Sequence, residues 1–172
     1  MAEKLAKSLI GMMGGLLSLS FGKQLIVFII SMLPILELRG GLIAASLLKL
    51  PPLESYIIAI VGNVIPVPFI LLSINKILRA MEKSRFKLFN GIHSFLHKKI
   101  MKNKDSIEKY GFWGLVIFVG IPLPGTGAWT GAIIAAFLEM DRKKAFLGIL
   151  LGMLMASIIM MIISFGLISK VA

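Results

Sequence analysis

Between Tyr110 and Leu138 the chain runs 29 residues without a charge, and in the middle of that run stands 121-IPLPGTGAWTG-131. As one helix the run would be about 44 Å long at 1.5 Å per residue, well beyond the roughly 30 Å of hydrocarbon in a bilayer. Two prolines and three glycines within those eleven residues forbid a continuous helix, because proline removes a backbone donor and clashes with the preceding turn while glycine weakens the helix further. Split at the break, the run gives two half-helices of about a dozen residues, each reaching roughly 18 Å, or half-way into the bilayer. The flanking charges agree. Lys76 to Lys109 carries ten Lys/Arg against three acidic residues, and 139-EMDRKK-144 adds Arg142, Lys143 and Lys144. Basic loops accumulate in the cytoplasm, so both ends of the run are expected on one side, which makes it a re-entrant hairpin.

The rest of the chain supports a membrane setting. It is 58% hydrophobic, against roughly 45–50% for an ordinary soluble domain. Its net charge of +11 lies between apolar blocks and reads as topology, since a nucleic-acid binder gathers its cations on one face of a soluble fold. No nucleic-acid partner is therefore expected. Cysteine is absent, which excludes disulfides and thiolate metal sites. Ser55 to Asn75 is uncharged for 21 residues and Ala145 to Ser169 for 25, each enough for a transmembrane helix, the first bent around Pro66 and Pro68. Ser8 to Gly22 is uncharged for 15 residues, with Gly11, Gly14 and Gly15 inside it, and reads as a short span or as a helix in the interface.

Sliding the chain on itself by 90 residues pairs Pro34 with Pro124, Gly41 with Gly131, Ile43 with Ile133, Ala45 with Ala135, Leu48 with Leu138 and Gly62 with Gly152. Both copies run in the same order: apolar half, Pro and Gly break, apolar half, short polar loop, long span. The expected fold is all-α, an integral membrane protein with an inverted-topology repeat of re-entrant helical hairpin plus transmembrane helix. The expected organisation is a single membrane domain over 1–172. It comprises an N-terminal apolar helix (1–22), repeat 1 (23–75), a basic amphipathic cytoplasmic linker (76–109) and repeat 2 (110–169). Leu88, Ile92, Phe95, Leu96 and Ile100 give the linker a helical apolar stripe that suits the surface of an anionic leaflet.

Charges at membrane depth are costly and usually functional. Glu37 and Arg39 stand between a thirteen-residue uncharged run (Gln24 to Leu36) and a nine-residue one (Gly40 to Leu48). Two residues apart on a straight helix they face nearly opposite ways; at a hairpin tip after Pro34 they can meet, and the alternative role is an internal salt bridge that holds the tip. Gly40 and Gly41 allow backbone exposure there, and free N–H groups beside Arg39 suit an anion such as phosphate. The opposite tip, Pro122, Pro124, Gly125, Thr126 and Gly127, is uncharged but offers backbone amides and one hydroxyl. These residues are the candidate substrate site. His93 and His97 have metal-binding spacing but no acidic third ligand nearby, so no metal and no cofactor is expected. No nucleophile and base sit together at depth, so no enzyme is expected either.

The two motifs, E-L-R-G-G-L-I-A-A and I-P-L-P-G-T-G-A-W-T-G-A, resemble the bacterial and archaeal family labelled putative small multi-drug export proteins, which is similar to the DedA superfamily of membrane proteins. The resemblance covers about Ile30 to Gly152. It implies two facing re-entrant hairpins and, from the DedA relatives, movement of lipid phosphates across the membrane. DedA proteins typically place an arginine in or after the second hairpin; here Pro122 to Leu138 has none and Arg39 lies in the first. The function expected is a cell-membrane, multi-pass transporter or translocase that moves a small amphiphile or lipid-phosphate headgroup, with proton coupling through Glu37. A cationic multidrug exporter using Glu37 is the alternative, and a non-transporting membrane scaffold or partner subunit the alternative from another class. The expected partners are membrane lipids and a small-molecule substrate, and a homo-oligomer is compatible with the chain.

Overall fold

A computed structural model describes residues 2–82, 98, 101, 107–123 and 125–167. The stripe of Leu88 to Ile100, His93, His97 and Pro124 lie outside the described residues. Among those described, the chain is helical throughout, with no strand.

Helix α1 (Ala2–Met12) leads into a 3-10 turn, Gly14–Ser18. The uncharged run from Ser8 to Gly22 is thus divided between two elements, and α1 packs against the first hairpin through buried Ala6. That hairpin consists of α2 (Gly22–Met32) and α3 (Glu37–Leu47), joined by four residues. Pro34 sets the break: the residue before a proline is pushed out of the helical region, and Leu33 has φ −74 and ψ 137. The two helices run antiparallel and close together. A Cβ on Gly41 would fall on the Ser31 hydroxyl.

Next come α4 (Pro52–Val64) and α5 (Pro66–Glu82). They form one bent rod whose apolar part, Pro52–Ile74, is 23 residues long. After the linker, α6 (107–120) and α7 (Ala128–Phe137) make the second hairpin. Helix α8 (Arg142–Met161) continues into a π-helical turn, Ile162–Leu167. With it, α8 forms a second apolar rod of 25 residues, Arg142–Gly166. Both rods are long enough to cross a bilayer. Their outer faces leave Ile57, Phe69, Leu147 and Ile158 more than half exposed, an apolar surface that water disfavours and lipid accepts.

Backbone geometry recurs at an interval of 90. Leu48 and Leu138 cap their helices at φ −82, ψ 0 and φ −78, ψ 6. The residues that follow, Lys49 and Glu139, turn at φ 55 and φ 53. The next amides, of Leu50 and Met140, donate to Ala45 and Ala135 carbonyls at 3.0 Å in both places. Close approaches recur too. A Cβ on Gly62 would lie 2.8 Å from the Phe28 carbonyl oxygen, and one on Gly152 would lie 2.7 Å from that of Val116.

The packing is reciprocal. One buried cluster joins Val67, Ile70, Leu71 and Ile74 of α5 to the second hairpin. The other joins Ala156 and Met160 of α8 to the first hairpin. Each rod therefore starts beside its own hairpin and ends on the other. At the crossing of α4 and α8, the buried Asn63 amide donates to Met153 Sδ at 3.3 Å, a bond from helix to helix.

Candidate functional site

The site is the meeting of the two hairpin breaks. Pro34 stops α2, and α3 restarts at Glu37 in the left-handed region with φ 50. That backbone turns the Glu37 side chain across to the other hairpin. One carboxylate oxygen accepts the amide of Ala128 and the other the amide of Trp129, both at 3.0 Å. These are the first two amides of α7, which have no partner within their own helix, and the positive end of the helix dipole favours an anion there. The sequence places an anion site at the start of α3; the structure has one at the start of α7, and the chain's own carboxylate occupies it.

Gly127 makes this approach feasible. It has φ 128, which only glycine adopts readily, and a Cβ there would collide with the Glu37 carboxylate. Positions 37 and 127 are equivalent at the interval of 90, as are Asn63 and Met153, so equivalent positions touch at both places.

Arg39 also crosses. Its guanidinium donates to the Leu123 carbonyl at 2.5 Å, to Thr126 Oγ1 at 2.9 Å and to the Ile121 carbonyl at 3.5 Å. The Thr126 hydroxyl in turn faces the Ile121 and Leu123 carbonyls, each at 2.8 Å. Within the break between α6 and α7 the same carbonyls also accept backbone amides, Ile121 that of Leu123 at 2.8 Å and Leu123 that of Thr126 at 3.2 Å. The first hairpin thus brings a carboxylate to N–H groups that lack a helical partner and a guanidinium to C=O groups of the non-helical break.

Of the candidate residues, Glu37, Arg39, Thr126 and Gly127 come together. Pro122 is partly buried and Gly125 is exposed at φ 90. Gly40 is buried against Leu36, and Gly41 lies against Ser31 of α2, so both serve the packing of the hairpin. The partners that sequence reasoning did not find are backbone groups of Ile121, Leu123, Ala128 and Trp129. No side chain marks them; only the Pro and Gly break signals that non-helical backbone lies there. The Trp129 indole N–H is buried without a hydrogen-bond acceptor.

No curated protein and no solved structure matches the chain. Residues 37–159 match the family model described as "Putative small multi-drug export protein". That stretch begins at Glu37, holds both sides of the site and covers most of the sequence: the chain is a membrane protein belonging to this family, which is named for export and not for catalysis.

Proposed function

We propose that the protein is a multi-pass transporter of the cell membrane, in which two re-entrant hairpins enter from opposite faces and a small amphiphile or lipid-phosphate headgroup passes between their tips. The half-helices α2 and α3 are 11 residues each, about 16 Å at 1.5 Å per residue, or half of the hydrocarbon layer. Inversion is supported by where the hairpin bases lie. The turn after α3 adjoins Pro52, the start of the first rod, whereas Ala136 and Glu139 share a cavity with Lys76 at that rod's far end. Conversely, the Ser46 hydroxyl donates to the Ser164 carbonyl at the far end of the second rod. The basic residues put the 76–109 linker and the 139–144 loop in the cytoplasm.

The observation that carries this reading is the seating of Glu37 and Arg39 on backbone groups of the opposite tip. With Glu37 and Arg39 seated, the hairpins are locked and the path between them is shut. An anionic headgroup can replace Glu37 on the Ala128 and Trp129 amides, with Arg39 alongside as its counter-ion. That swaps like for like and leaves the amides bonded. Proton uptake by Glu37 would favour its release, which is how a proton gradient could drive the cycle. A cationic cargo would instead pair with Glu37 and strand the α7 amides, so the geometry favours an anion. The resemblance of the two sequence motifs to the DedA superfamily would imply the same cargo, and the family name suggests the export direction.

The test is flux in proteoliposomes, using fluorescent phosphatidylglycerol and the cation ethidium. For an anionic cargo, Arg39→Ala abolishes phosphatidylglycerol movement and Glu37→Gln slows it less; a cationic cargo reverses that order and moves ethidium. The scaffold reading has one observation in its favour, since both charges are already engaged in joining the hairpins. Absence of flux with either probe in the wild type would select it.

A further inference from the structure

A second feature lies away from the hairpin tips, at the end of the molecule where α8 begins. An apolar groove of about 480 Å³ runs between α5 and α8, lined by Leu71, Leu72, Phe146 and Leu147 together with Arg142 and Lys143. A polar cavity of about 370 Å³ adjoins it, shares Leu71, Leu72 and Arg142, and adds Lys76 and Glu139. We infer that this groove is a binding site for an anionic phospholipid, with an acyl chain along Leu72 and Leu147 and the phosphate at Arg142, Lys143 and Lys76.

Three features of the site favour that occupant. The groove lies between two rods that span the membrane, so its apolar walls face acyl chains, and its volume falls in the range of specific ligand sites. A basic pocket between transmembrane helices on the cytoplasmic side is a recurrent means of holding an anionic headgroup. Arg142, Lys143 and Lys144 also fill the first turn of α8, where no acidic residue stands and where the positive end of the helix dipole disfavours cations. The Asp141 side chain, which accepts the Lys144 amide at 3.0 Å, answers only one of the open amides. Arg142 and Lys143 are exposed; among the described residues lining the two cavities the only acid is Glu139 against three cations, and Asp141 stands beside them at the helix end. A phosphate there would relieve the repulsion among those cations and serve the helix end together.

This site does not depend on the transport reading. The test is native mass spectrometry of the full chain in detergent, titrated separately with dioleoyl phosphatidylglycerol and dioleoyl phosphatidylcholine. The wild type is expected to retain phosphatidylglycerol about tenfold better, the order of magnitude for two cations near a headgroup. Arg142→Gln with Lys143→Gln, which leaves only Lys76 of the three cations, should lower that ratio several-fold. Leu147→Trp, at an exposed wall position, should lower phosphatidylglycerol retention several-fold without lowering the melting temperature in phosphatidylcholine. Equal retention of the two lipids by the wild type overturns the inference. So does a preference unchanged by the double substitution, because the selecting cations would then lie elsewhere, or retention unchanged by Leu147→Trp, because the acyl chain would then not be in the groove.

Discussion

Glu37 combines two costs that only its partners explain. Its backbone is left-handed, which costs a residue with a Cβ about 1–2 kcal/mol, and its carboxylate is buried with 5% exposure. Two charge-assisted bonds to backbone amides, about 1.5–3 kcal/mol each, offset both. Glu37→Ala should therefore lower the stability of the detergent-solubilised protein, as measured by thermal unfolding. Glu37→Gly removes the same carboxylate but suits φ 50, so it should be about 1 kcal/mol less harmful than the alanine variant. A glycine variant no better than alanine would mean that the left-handed backbone is not what the position costs. Arg39→Lys is informative in a different way. Lysine keeps the charge but cannot span the Leu123 carbonyl and Thr126 Oγ1 as a rigid fork. Retention of charge alone should leave flux well below wild type, and wild-type flux in that variant would show that the guanidinium geometry is not needed.

Helix contacts set the hairpins, and glycine makes them close. Gly41→Ala puts a methyl onto the Ser31 hydroxyl, which itself donates to Val27. Overpacking of this kind costs about 1–3 kcal/mol. Because the obstacle is Ser31 Oγ, Ser31→Ala should recover part of the loss, and the pair should be non-additive in a double-mutant cycle. Strict additivity in thermal unfolding would mean that α2 and α3 separate to admit the methyl. At this scale the break, the half-helices, the rods and the interval of 90 are legible in the sequence, because Pro and Gly positions and uncharged run lengths report directly on backbone. The end of α1 is harder to see. Gly11, Gly14 and Gly15 lie in a uniformly apolar run, where composition does not say whether glycine packs a helix or stops it. The site was half legible: Glu37 and Arg39 are visible as costly charges, whereas the backbone atoms that receive them depend on how the hairpins meet. Two residues apart also suggests a local pair, yet each of these side chains makes hydrogen bonds to residues more than eighty positions away.

For the whole molecule the decisive property is which way each half points. Contacts between equivalent positions, Glu37 with Gly127 and Asn63 with Met153, are what a two-fold axis between the halves would produce, but they do not give its direction relative to the membrane. A straight path from Pro52 to Lys76 would be about 36 Å at 1.5 Å per residue, so the proposed topology puts the turns at Lys49 and Glu139 on opposite sides of the bilayer. An axis along the membrane normal would put those turns at the same depth, and only an axis in the membrane plane separates them. Because the chain has no cysteine, single cysteines introduced at Lys23, Lys49, Lys109 and Glu139 can be tested with a membrane-impermeant maleimide in intact and permeabilised cells. Lys23→Cys and Lys49→Cys should react from the outside, while Lys109→Cys and Glu139→Cys should react only after permeabilisation. If positions 23 and 49 react from opposite sides, α2 and α3 together cross the bilayer, the halves are parallel, and the alternating exposure of a site between facing tips has no structural basis.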